Sequence, residues 1–107
     1  MTDNGGALRT VKTSKLEFTY IESGPPRGPV LLLLHGWPDD ATTWDGVSPR
    51  LNAAGFRTIA PMFRGFGGTR CLSPAIRRTG NSAILAMDVQ ELLDALAIEN
   101  CGVAGHD

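Results

Sequence analysis

The chain has 107 residues, 42% of them hydrophobic and 20% charged, with ten basic and eleven acidic side chains and a formal net charge of −1. That length suits one small domain with its own core. So even a charge balance excludes the electrostatic footprint of a nucleic-acid or anionic-membrane binder.

Along the chain, residues 1–7 are polar and glycine-bearing, and fraying is expected there; residues 8–107 are read as one domain portion. "MTDNGGALRT" has no basic start followed by an apolar stretch, so no secretory signal is predicted. A weak strand is expected over Leu8–Thr13 and a firmer one over Leu16–Ile21, where alternation and β-forming residues suit a strand with one exposed face. "SGPPRGP" (Ser23–Pro29) then supplies a strong turn signal. Val30–Leu34 is five aliphatic residues in a row. It is too short to cross a bilayer, and it predicts a strand covered on both faces, as in a parallel sheet.

Ser48-Pro49 through Gly55 predicts a short helix with serine as cap, proline at its start and glycine at its close. "FRTIA" (Phe56–Ala60) is the next strand, followed by the loop "PMFRGFGGTR". Arg77-Arg78, the one adjacent basic pair, reads as solvated loop. A long helix is predicted over Ser82–Ile98, capped at Asn81 or Ser82. Leu85, Val89, Leu92, Leu93 and Leu96 make one apolar stripe, whereas Asp88, Glu91 and Asp94 lie off it and are expected to be solvated. "CGVAG" (Cys101–Gly105) reads as another buried strand. Strands alternating with helices predict an α/β fold with a mostly parallel sheet flanked by helices. Cys71 and Cys101 form no Cys-x-x-Cys pair, so two free thiols and a cytoplasmic location are expected.

Two loops follow buried strands, where open α/β sheets place their ligands: "HGWP" (His35–Pro38) and "GHD" (Gly105–Asp107), with "RGFGGT" between them. In this order the three motifs resemble the front part of an α/β-hydrolase, from about Leu16 onward. More narrowly, they resemble the branch of epoxide hydrolases and haloalkane dehalogenases, in which an aspartate is the nucleophile. The hydrolase elbow reads Gly-x-nucleophile-x-Gly; Gly105, His106 and Asp107 fill its first three places. The resemblance implies that Asp107 attacks an epoxide or haloalkane carbon and forms an alkyl-enzyme ester. It also implies that the backbone N–H of Trp37 belongs to an oxyanion hole, with Gly36 allowing the tight turn and a cis peptide before Pro38. His35 is read as structural, bonding nearby backbone, and His106 as lining the site or packing. Tryptophan at position 37, where many dehalogenases carry asparagine, favours an epoxide as substrate.

The middle loop departs from the family's usual Pro-Asp-x-Arg-Gly-x-Gly-x-Ser. Met62 replaces the aspartate and Thr69 the serine, leaving Arg64 without its usual acidic neighbour. Gly65-Phe66-Gly67 also starts like a dinucleotide fingerprint, but Arg70 stands where glycine or alanine is required, so a structural loop is the better reading. The general base, its acidic partner and the acids that protonate an opened epoxide are expected beyond the chain, since Tyr20, the single tyrosine, sits in an early strand. The 107 residues are therefore read as an N-terminal fragment cut at the nucleophile elbow and unable to complete a catalytic cycle. No metal or organic cofactor is expected. The competing readings are a haloalkane dehalogenase or other hydrolase of this fold, and a non-catalytic chain acting as an interaction module. Oligomeric state is left open.

Overall fold

A computed structural model describes residues 6–36, 41–64, 67–73 and 82–105. The expectations placed on residues 1–5, Trp37, Pro38, Gly65, Phe66, Arg77, Arg78, Asn81, His106 and Asp107 fall outside the described residues. The elements in order are β1 (Ala7–Lys12), β2 (Leu16–Ser23), β3 (Val30–Leu34), a 3₁₀ turn (Ala41–Trp44), α1 (Ser48–Ala53), β4 (Arg57–Pro61), β5 (Arg70–Cys71), α2 (Ser82–Ala95) and β6 (Gly102–Gly105).

The six strands form one mixed sheet in the order β1-β2-β4-β3-β6, with β5 also pairing β2. β1 and β2 make an antiparallel hairpin from Ala7↔Glu22 to Lys12↔Glu17. Its turn is closed at Thr13, whose N–H donates to the Leu16 carbonyl at 2.8 Å. The weak first strand is thus real; it begins at Ala7, inside the stretch expected to fray. β2 pairs β4 antiparallel, while β4, β3 and β6 run parallel. The aliphatic run of β3 lies between two parallel neighbours, the environment that favours apolar residues on both faces.

One face of the sheet carries α1 and the 3₁₀ turn. There Ile21, Leu33, Ala60 and Met62 are buried against Ala41, Trp44 and Leu51. The other face carries α2, where Val89, Leu92 and Leu93, with Leu96 just after the helix, meet Phe18, Tyr20, Leu32 and Ile59. The stripe read from the sequence is therefore the helix face that packs. β2 contributes to both layers, because Leu16, Phe18 and Tyr20 are buried with α2 and Ile21 with the opposite cluster. This corrects the expectation of one exposed face.

Helix ends follow local chemistry with two departures. At the start of α1 the cap position belongs to Val47, with no side-chain cap bond, and Ser48 is already helical and buried; the expected serine cap is not made. At its end Gly55 has φ +100°. The N–H of Gly55 donates to Asn52 O and that of Phe56 to Leu51 O, the Schellman pattern that glycine favours. α2 stops at Ala95, three residues before the expected end. Ala97 takes the left-handed conformation at φ 57° and Ile98 N–H closes back onto Leu93 O at 2.9 Å. An alanine there costs about 1 kcal/mol, and no glycine marks the stop.

β6 is also less covered than its sequence suggests. Val103 is 61% exposed, and an open apolar groove of about 390 Å³ runs beside it, lined by Leu32, Leu34, Phe63, Leu85, Val89 and Val103 among others. No helix among the described residues is long and apolar enough to cross a membrane.

Candidate active site

The carboxyl ends of β3, β4 and β6 open at one end of the sheet, the usual place for a ligand in a parallel α/β fold. The register of β3 against β6 runs from Leu31↔Gly102 to Leu34↔Gly105. Leu34 and Gly105 are thus partners, so these two parallel strands end at the same level of the sheet. The structure brings the first residues of both motifs, His35 with Gly36 and Gly105, to this edge.

His35 is 4% exposed. Its Nε2 accepts the backbone N–H of Phe63 at 3.0 Å, and its Nδ1 lies 2.9 Å from the Gly36 carbonyl oxygen. An Nε2 that accepts an amide proton carries none itself, so the proton sits on Nδ1 and is donated to Gly36 O. The ring also packs against Phe63, with centroids 4.8 Å apart at 60°. The histidine thus ties the loop after β3 to the loop after β4.

The loop after β4 is held at three further points. Met62 N–H donates to Thr19 O at 2.9 Å. Thr69 Oγ1 accepts Thr19 N–H at 2.9 Å and donates to Thr19 O at 3.4 Å, so threonine supplies the hydroxyl at the position where serine is usual. Gly67 has φ +54°, and a Cβ there would come within 1.7 Å of Met62 Sδ. Glycine lets the loop close over the buried Met62 side chain. These contacts fit the structural reading of this loop.

The third point overturns an expectation. Asp88 is 3% exposed and Arg64 7%, and the two form a bidentate pair, Nε to Oδ2 at 2.7 Å and Nη2 to Oδ1 at 2.6 Å. The Asp88 hydrogen bond pushes the guanidinium above its already high pKa, against the opposing effect of burial. Arg64 does have an acidic neighbour, supplied by α2 in place of the loop's own second residue. Met62, at that second place, is packed in the apolar cluster under the 3₁₀ turn. Asp88 lies three residues after Leu85 and four before Leu92, on the flank of the packed stripe, and its burial corrects the expectation that it is solvated.

Tyr20 is 5% exposed, packed with Leu32, Ile59 and Val89. Burial, and secondarily the Glu22 charge, raise its pKa above 10, while Arg9 and Arg57 pull the other way. The folded state therefore holds this proton more tightly than the unfolded chain does. The stabilisation is complete below pH 10 and is lost as pH rises through the folded value. Melting temperatures at pH 9 and pH 11 should fall less in Tyr20→Phe than in the unaltered chain. An equal fall would mean that Tyr20 contributes nothing to alkaline sensitivity.

Cys71 and Cys101 are free, and no group of three potential metal ligands occurs among the described residues.

The comparisons with known proteins agree with this arrangement. Residues 29–107 match the α/β-hydrolase fold family. The chain is 36% identical to epoxide hydrolase 3 of Xenopus tropicalis over 91% of its own length and 26% of the relative's. It is 34% identical to epoxide hydrolase A of Mycobacterium tuberculosis, covering 92% of this chain and 30% of that one. A crystal structure of a Klebsiella pneumoniae protein assigned as an epoxide hydrolase superposes with a TM-score of 0.93 at 37% identity, over 99% of this chain and 36% of that one. The chain thus spans about a quarter to a third of the length of these relatives. On the motif order, the sheet and these likenesses together, the chain belongs to the α/β-hydrolase fold family and is epoxide hydrolase-like.

Proposed function

We propose that this chain is the front portion of an epoxide hydrolase that works through an aspartate nucleophile, Asp107. The observation that supports the reading is the pairing of Leu34 with Gly105 on adjacent parallel strands, since the two motifs follow these strand ends in the sequence. A carboxylate oxygen of Asp107 attacks an epoxide carbon and the ring C–O bond breaks. The freed oxygen takes a proton from an acid beyond this chain. Water, deprotonated by a histidine also beyond the chain, then attacks the ester carbonyl. The tetrahedral oxyanion is stabilised by the Trp37 N–H and by the amide following Asp107, and its collapse releases the diol. His106 is assigned to lining the site or packing beside the nucleophile rather than to proton transfer, and Pro38 to the oxyanion loop.

The uncovered flank of β6, with Val103 exposed beside an apolar groove, supports further residues packing there, as does the share of the relatives' length that this chain spans. The free thiols favour a reducing, cytoplasmic setting. The substrate is a small epoxide; a haloalkane is the alternative for the same nucleophile, with halide leaving where the ring oxygen would stay attached. Reading the gene beyond the Asp107 codon tests the assignment. The expected result is a small residue two places on, completing Gly-x-Asp-x-Gly, with an acid and a histidine far downstream. An in-frame stop would leave a non-catalytic interaction module as the better reading.

A further inference from the structure

We draw no further inference here: the strongest candidate, the open apolar groove between α2 and β6 lined by Leu34, Phe63, Leu85 and Val103 among others, carries nothing because nothing among the described residues shows what covers it.

Discussion

Replacing Asp88 with alanine should destabilise the chain by about 3–5 kcal/mol, the usual cost of removing one partner from a buried ion pair. Arg64 would be left with a permanent charge in a site where only 7% of the residue is exposed, and arginine cannot shed its proton to escape that cost. The effect reaches beyond the pair, because Arg64 adjoins Phe63, whose amide holds His35. Out of a total stability of about 5–15 kcal/mol for a typical domain, such a loss would be plain in urea unfolding as a lower midpoint. The double variant Arg64→Met with Asp88→Leu should recover most of it, since apolar pairs of similar volume often replace buried ion pairs at little cost. By contrast, Arg70→Gln should move the midpoint by less than about 1 kcal/mol, because its bond to Glu17 lies in solvent, with the arginine side chain 65% exposed. A small effect in Asp88→Ala would mean that water or another group already satisfies Arg64.

The sequence made most of this architecture legible because local chemistry and packing agreed. Val30–Leu34 is apolar at every position and does sit between parallel strands. The stripe from Val89 to Leu96 does face the sheet, and Leu85 lines the open groove. Departures arose where a residue's role is set by a partner distant in sequence. Asp88 is separated from Arg64 by 24 positions, and no local pattern distinguishes a flanking carboxylate that finds a guanidinium from one that finds water. Thr69 acts on β2, 50 positions away. The exposure of β6 was equally illegible, because the apolar character of a strand does not say what lies over it. Ala97, just after α2, takes a left-handed conformation that alanine does not announce. For the candidate site, the motifs mark two loops in the sequence, and the register adds that the strands before them end side by side, with Leu34 opposite Gly105.

The largest expected effect on activity belongs to Asp107. In the protein carrying the downstream residues, Asp107→Asn should reduce epoxide turnover by at least about a thousandfold, as removal of a covalent nucleophile does elsewhere. An amide is too weak a nucleophile to open the ring at a useful rate, so residual activity would come from positioning alone. Global stability should change little if the elbow is exposed for attack, and melting curves would separate lost chemistry from lost fold.

The origin of the oxygen atom in the product tests the central claim most directly. With enzyme in excess over an aryl epoxide in ¹⁸O-labelled water, the covalent route predicts that the first-turnover diol carries no label. The ¹⁸O should instead appear in the carboxylate of the peptide containing Asp107, because water attacks the ester carbonyl and leaves the alkyl C–O bonds of the diol untouched. A labelled first-turnover diol with an unlabelled Asp107 would show water attacking the epoxide directly, and the nucleophilic role of Asp107 would be contradicted.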